Sequence, residues 1–181
     1  MKNKNYSASG IVLARKNYSE GDRILVVFTQ NHGKVHLLAK GVRKPKSKKR
    51  GSLEVFNHIR FQAVSSKGLD LMTEAEVIDT FSSARKNLNK ISLYYYFTEV
   101  IGRVTRENEK NIELYELILK YLKLVENEVS SKKIRYDFIY EVLTTLGFWP
   151  KGRVLDNPDH FLEQVTERKI SSIRVGKRLL S

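Results

Sequence analysis

The sequence predicts an α+β protein in which a small β-barrel over residues 1–82 is followed by an α-helical bundle over residues 83–181. Five short segments rich in β-branched and aromatic residues lie within the first 80 residues and are separated by turn signals. The stretch from Ser83 to Leu146 contains no proline and a single glycine, and its apolar residues recur at helical spacing. A strongly basic loop joins two of the expected strands.

The five expected strands follow one another closely. The first expected strand lies in residues 7–14, which contain an apolar, β-branched stretch. Residues 22–29 form a short apolar run that suits a strand buried on both faces. Residues 34–40 and 57–63 alternate between apolar and polar side chains, which is typical of half-buried strands. Residues 69–79 fit a strand or a helix on pattern alone, and we expect a strand over their first part.

Five strands of this length predict a small closed or partly open barrel. In the two alternating strands the inward positions are Val35, Leu37, Ala39, Ile59, Phe61 and Ala63. Among small barrels, the five-stranded OB-fold best accounts for basic side chains on an outward strand face beside a long basic loop. Its middle strands and connecting loops form a groove for single-stranded nucleic acid.

The first expected helix covers residues 88–104, where mostly apolar residues recur at helical spacing. They are Leu88, Ile91, Tyr95 and Thr98, with Leu93, Tyr96, Val100 and Val104 alongside. Four consecutive aromatic residues, 94–97, cannot all face one way, so one or two rings must be partly exposed. We expect these rings to form the core and its rim. The alternative is that they fill an apolar pocket of a partner.

Two further helices complete the expected bundle, and a short helix follows them. Asn111 marks the N-cap of the second helix, and the third begins near Ser131. Gly147 and Pro150 mark the end of the third helix, and a short helix should follow Pro158. Three helices with connections of a few residues make a compact bundle.

The charge balance indicates a polyanionic partner. The chain has 33 Lys and Arg against 20 Asp and Glu, giving a formal net charge of +13. A domain this basic has the electrostatic footprint of a nucleic-acid binder. A membrane surface is the weaker interpretation, because the basic loop has no apolar face to insert and no apolar run approaches 18 residues. The polar first nine residues lack a signal-peptide core, and cysteine is absent, so we expect a cytoplasmic, nucleoid-associated protein.

The basic loop is the strongest functional signal. Seven of the eleven residues from Lys40 to Arg50 are basic and none is acidic. They are Lys40, Arg43, Lys44, Lys46, Lys48, Lys49 and Arg50. Each Lys or Arg that neutralises a phosphate releases condensed counterions, so an exposed, flexible loop of this kind suits a nucleic-acid backbone. The alternative is a solvated charge run that keeps the protein soluble, although solubility is usually served by mixed signs.

The strand next to this loop adds further candidates. Lys34, His36 and Lys40 share one strand face, and Arg60 joins them if the strands pair in an OB-fold order. We predict that Lys34, His36, Lys40 and Arg60 line the nucleic-acid path while the other basic residues of the loop grip phosphates. The alternative is that they form the solvated face of a half-buried sheet. Tyr18 is the only aromatic residue expected to be exposed on the barrel, so binding should be dominated by the backbone and indifferent to sequence.

The sequence predicts neither a metal site nor catalysis. His32 and His36 are four residues apart but flank a turn and a strand, and no thiol or carboxylate completes a ligand set. There is no Walker A loop, GxGxxG or GxSxG motif, and no paired carboxylates in a recognisable context. We therefore expect a binding protein without a cofactor.

A set of residues in the first 47 positions is characteristic of one family. They are Gly10-Ile11-Val12-Leu13, Tyr18, Glu20, Asp22-Arg23-Ile24, Phe28-Thr29, Gly33-Lys34 and Ala39-Lys40-Gly41-Val42-Arg43-Lys44. The segment from Gly10 to Ser47 resembles the N-terminal domain of RecO, the bacterial recombination mediator. Residues 84–149, closing on Leu143-Thr144-Thr145-Leu146-Gly147, are similar to the central domain of that family.

The resemblance implies a function and a set of partners. It implies an OB-fold that binds single- and double-stranded DNA, anneals complementary strands, and with RecR loads recombinase onto DNA coated by single-strand-binding protein. Many family members insert a four-cysteine zinc module after the third helix, whereas here Pro150-Lys151-Gly152-Arg153 runs on without cysteine, so we expect that module to be missing. Two other classes stay open: an RNA- or ribosome-binding OB-fold module, and an adaptor whose basic face meets an acidic protein tail.

Overall fold

The chain packs into two compact units. The computed structural model describes residues 4–45, 47, 51–127 and 131–167. One unit, the barrel unit, comprises the residues up to Thr80 together with Thr105–Ile112. The other, the helical unit, comprises Phe81–Val104 and the residues from Glu113 onward. The predicted class, a barrel followed by helices, is confirmed, and the segment 105–112 is an unexpected addition to the barrel unit.

The barrel unit is built from five strands that close on themselves. The strands are β1 (Asn5–Tyr18), β2 (Asp22–Thr29), β3 (Gly33–Ala39), β4 (His58–Val64) and β5 (Asp70–Asp79). They follow the order β1-β2-β3-β5-β4, and β1 pairs with both β2 and β4. All pairs are antiparallel except β3 with β5. This arrangement is consistent with the predicted OB-fold.

The alternation of apolar residues seen in the sequence fills the barrel. Residues 35, 37, 39, 59, 61 and 63 are all buried in one core cluster, as predicted. Val12 of β1, Leu25 and Val27 of β2, and Met72 of β5 complete the layers of that core. Strand β5 covers all of the ambiguous segment 69–79 except its first residue. Pairing with β4 along nearly its full length stabilises the extended conformation.

The helical unit contains four α-helices. They are α1 (Leu88–Val104), α2 (Ile112–Asn127), α3 (Ser131–Thr145) and α4 (Pro158–Thr166). Helix α2 begins directly after Asn111, and α4 follows the N-cap residue Asn157, whose side chain accepts a hydrogen bond from the His160 N–H. None of the helices in the described ranges is long and apolar enough to cross a bilayer.

Helix α3 ends as its sequence predicts. Gly147 has a φ of 76°, in the left-handed region that favours glycine. The Phe148 N–H donates to the Leu143 carbonyl at 2.9 Å, and the Gly147 N–H donates to the Thr144 carbonyl at 3.1 Å. These two bonds form a Schellman cap and satisfy the last carbonyls of the helix.

The connection from α3 to α4 is short and makes its own contacts. The Trp149 indole N–H donates to the Arg153 carbonyl at 3.0 Å, and the Arg153 guanidinium lies 5.6 Å from the centre of the Trp149 ring. The Gly152 N–H donates to the Tyr140 hydroxyl at 2.5 Å. These contacts fix the turn onto α3. The turn stands where many members of the resembled family insert the zinc module.

The core of the helical unit is centred on aromatic rings. Phe97 and Phe138 lie with ring centres 4.2 Å apart, and Tyr121 stands 5.2 Å from Phe138. All three are fully or almost fully buried. The Tyr121 hydroxyl donates to Glu141, and burial together with that acceptor raises the pKa of the phenol.

The face that the sequence indicates for α1 is confirmed in part, because Thr98 and the neighbouring Leu93, Tyr96 and Val100 are buried. Leu88 is 69% exposed and Tyr95 is 52% exposed, whereas Tyr94 and Phe97 are completely buried. Apolar side chains lie on most sides of this helix, so spacing alone does not determine which side faces the core. The exposed Tyr95 ring confirms that the aromatic run could not be buried as a whole.

Candidate nucleic-acid interface

The basic loop connects β3 to β4, and its first residues are fixed to the barrel. Val42 is completely buried in the barrel core. The Gly41 N–H donates to the Asp22 carboxylate at 2.7 Å, and the Arg43 N–H donates to the Gly21 carbonyl at 2.9 Å. The loop therefore leaves the barrel from a defined position beside the turn between β1 and β2.

The far end of the loop is anchored as firmly. Leu53 is completely buried in the same core. The buried Asn57 amide donates to the Gly51 carbonyl at 3.2 Å and to the Ser52 carbonyl at 2.9 Å. Glu54 accepts from the Arg15 guanidinium at 2.6 Å and from the Arg23 guanidinium at 3.3 Å. Both ends of the loop are thus held to the barrel.

Three of the seven basic residues of the loop meet at one corner of the barrel. We call Lys40, Arg43 and Lys44 the basic corner. The Arg43 guanidinium donates to the Ser19 carbonyl at 3.2 Å, and the Lys44 side chain lies against Gly21. Lys40 and Lys44 are exposed, and Arg43 is half-buried. Lys46, Lys48, Lys49 and Arg50 lie outside the residues that the structure describes.

The outer face of β2 and β3 adjoins the basic corner. Lys16 of β1, Ile24 of β2 and Leu38 of β3 lie side by side in the strand register, and Val26 is level with His36. Ile24, Val26 and Leu38 are half-buried, so β2 is less covered than its apolar run predicted. The result is a partly apolar floor with Lys16 and Lys40 at its edges.

The other end of this face is occupied by residues 105–112. The Lys34 ammonium donates to the Thr105 carbonyl at 2.7 Å, and the Asn108 N–H donates to the Lys34 carbonyl at 3.0 Å. The His36 Nε2 lies 3.3 Å from the Glu107 carboxylate. Lys34 and His36 therefore face outward, as their alternation predicts, but they contact this segment.

Gly33 allows the segment to approach so closely. Its φ is 66°, and a Cβ at this position would lie 2.2 Å from the Glu109 carbonyl oxygen. No side chain fits there, so the backbone of the segment packs directly on the start of β3. Sequence reasoning missed this contact, because a polar stretch between two helices carries no periodic pattern that would dock it on a distant strand.

Arg60 is not brought together with Lys34 and Lys40. Strand β5 lies between β3 and β4 in the barrel, so the OB-fold order separates the two groups instead of joining them. The Arg60 guanidinium donates to the Glu76 carboxylate at 2.8 Å, and both side chains are 63% exposed. Glu74 lies beside this pair and accepts from Gln62. This part of the barrel has mixed charge.

The histidine at the turn between β2 and β3 packs against a tyrosine. The His32 ring lies 4.7 Å from the Tyr6 ring, centre to centre, and the Tyr6 hydroxyl donates to Asp70 at 2.8 Å. Burial, followed by that hydrogen bond and the charge of Asp70, raises the pKa of the Tyr6 phenol. Within the described ranges, no group of three or more His, Cys, Asp or Glu is placed to hold a metal ion.

Comparison with known proteins gives a consistent result over most of the chain. Residues 1–81 match the family model described as Recombination protein O N terminal, and residues 85–153 match that described as Recombination protein O C terminal.

Individual relatives carry the same name. A protein of Pelotomaculum thermopropionicum is 33% identical over 157 residues, which cover 87% of this chain and 60% of that protein. A protein of Symbiobacterium thermophilum is 29% identical over 146 residues, 80% of this chain and 58% of that protein. A Listeria monocytogenes protein is 28% identical over 141 residues, with coverages of 78% and 55%. Each is named DNA repair protein RecO, and this chain spans little more than half of their length.

Proposed function

The chain belongs to the RecO family, and from that premise we propose that it is a DNA-binding, non-catalytic mediator of recombinational DNA repair. The observation that carries the proposal is the basic corner. A loop with seven cations is held at both ends, and Lys40, Arg43 and Lys44 gather beside a partly apolar strand face. Cations at a fixed position next to an open face suit a flexible, negatively charged strand.

The binding mode follows from the kind of side chains at the corner. Long basic side chains contact phosphates well but carry no information about base edges. The protein should therefore bind single- and double-stranded DNA with little sequence preference. Annealing requires the charge of two backbones to be neutralised at once, and no chemical step is needed. RecR and single-strand-binding protein are the protein partners that we propose from the family, with recombinase loading in the cytoplasm as the outcome.

The proposed DNA path has a centre and two outlying positions. Its centre is the basic corner continued by Lys46, Lys48, Lys49 and Arg50. Lys34 and His36 lie at one limit, where DNA would replace their contacts with residues 105–112. Arg60 lies at another, where DNA would replace its pairing with Glu76.

A strand-annealing assay tests the proposal. Two complementary oligonucleotides are mixed with the protein at low salt, bare or coated with single-strand-binding protein. Annealing should be faster with the protein under both conditions. No acceleration of bare strands would contradict the proposed activity. Tighter binding to RNA than to DNA of the same length and salt would favour the RNA-binding alternative, since a 2′-OH contact separates the two.

Glu107 should weaken DNA binding in the wild-type protein. Its carboxylate faces His36 and places a negative charge on the face next to the proposed path. We expect Glu107→Gln to bind single-stranded DNA about two- to threefold more tightly at low salt, because one exposed charge is worth roughly 0–1 kcal/mol. Glu116→Gln, at an exposed position on α2, is the matched control and should leave the affinity unchanged. Equal affinities of wild type and Glu107→Gln in a titration would place the path away from β3.

A further inference from the structure

Tyr18 is an exposed aromatic residue at the edge of the basic corner. It ends β1 and is 52% exposed. The other aromatic residues of the described barrel differ: Phe28, Phe56 and Phe61 are buried, and the half-buried Tyr6 bonds to Asp70. Within the described residues, the Tyr18 ring has no aromatic or cation–π partner, and its hydroxyl makes no hydrogen bond.

The backbone that carries Tyr18 is held on both sides. Tyr18 pairs with Asp22 across the turn between β1 and β2, and the Asp22 carboxylate accepts the Gly41 N–H. The turn itself accepts two hydrogen bonds from Arg43, one at Ser19 and one at Gly21. A flat ring on a fixed strand end costs little conformational entropy when a ligand covers it, since only two side-chain torsions are restricted.

Two basic side chains lie on the turn that follows Tyr18, where they could bind the phosphates of a nucleotide stacked on the ring. Arg43 bonds to the residue directly after Tyr18, and Lys44 lies against Gly21 of the same turn. Proteins hold single strands without reading their sequence by combining an aromatic ring, on which a base stacks, with cations that bind the adjoining phosphates. A duplex offers no free base face to such a ring.

We propose that Tyr18 stacks on an unpaired base of single-stranded nucleic acid whose phosphates contact Arg43 and Lys44. The inference rests on the proposed function and deepens it, because it gives the basic corner a preference for single strands over duplex. Phosphate contacts alone supply no such preference, since the duplex carries the higher density of backbone charge.

The test separates stacking from charge by removing the bases. Wild type, Tyr18→Phe, Tyr18→Leu and Tyr18→Ala are titrated with oligo(dT) and with an abasic deoxyribose-phosphate oligomer of the same length. On oligo(dT), the Ala and Leu variants should lose about 5- to 150-fold in affinity, which corresponds to the roughly 1–3 kcal/mol of one stacked base. Tyr18→Phe should keep the wild-type affinity. All four proteins should bind the abasic oligomer equally and show the same salt dependence.

Several outcomes would overturn the inference. They are an unchanged affinity of Tyr18→Ala for oligo(dT), an equal loss on both oligomers, and a loss in Tyr18→Phe as large as in Tyr18→Ala. In each of these cases, the proposed function would still hold as long as the wild type binds the oligomers. If wild type binds neither oligomer, the proposed function fails and the inference fails with it. Circular dichroism of each variant verifies that the barrel is intact, and Tyr18→Leu retains apolar bulk at the strand end.

Discussion

Neutralising five basic side chains of the loop should weaken binding to every single-stranded sequence by a similar factor. The five substitutions to glutamine are at Lys44, Lys46, Lys48, Lys49 and Arg50. For single strands, the slope of log K against log salt concentration is about −0.7 per phosphate contacted. Losing roughly three to five contacts should therefore reduce the magnitude of the slope by about 2–3.5. Titrations of several oligonucleotides at four or five salt concentrations measure both effects.

The anchored ends of the loop make this experiment clean. Arg43 is left unchanged, because its guanidinium and its N–H hold the turn between β1 and β2. Val42, Leu53 and Asn57 also stay, so the ends of the loop keep their contacts with the barrel. Circular dichroism and thermal unfolding should match those of the wild type.

A second quintuple variant controls for net charge. It carries five Lys→Gln substitutions at exposed positions of the helical unit, namely Lys86, Lys123, Lys132, Lys133 and Lys151. Both variants lose the same formal charge, so a long-range effect of total charge would weaken them equally. We expect the helical variant to keep most of the affinity and of the salt slope. Equal slopes in the two variants would mean that the loop is a solvated charge run, and that the DNA path lies elsewhere.

Local patterns in the sequence predicted the barrel, because its strands are half-buried. In such strands the side-chain period of two is visible as alternation, and this fixed the inward residues from Val35 to Ala39 and from Ile59 to Ala63. The face of Lys34, His36 and Lys40 followed from the same rule. The role of that face in binding stays a prediction.

Local patterns could not predict contacts between residues that are far apart in the sequence. The segment 105–112 docks on Gly33 and Lys34, more than 70 residues away, and its own contribution comes largely from backbone groups that any sequence possesses. The separation of Arg60 from Lys34 depends on β5 entering the barrel between β3 and β4. The sequence did hold a signal for the anchored loop: Val42 and Leu53 are apolar residues at the two ends of a polar stretch.

Two substitutions on α1 test whether the residues buried in the structure, and not those in the stripe read from spacing, stabilise the helical unit. The sequence spacing included Leu88 in the apolar stripe and left Phe97 out, whereas the structure buries Phe97 completely, with its ring against Phe138 and Tyr121. Removing a buried phenylalanine leaves a cavity that its neighbours fill only in part. We expect Phe97→Ala to lower the free energy of unfolding of the helical unit by about 3–5 kcal/mol.

Leu88→Ala is the matched control on the same helix. Leu88 is largely exposed, so its truncation should change the free energy of unfolding by no more than about 0.5 kcal/mol. Urea unfolding of the full chain, followed by far-UV circular dichroism, measures both variants against the wild type. A loss in Leu88→Ala as large as that in Phe97→Ala would show that Leu88 also packs in the core. Because most sides of α1 are apolar, only burial in the tertiary structure decides between them.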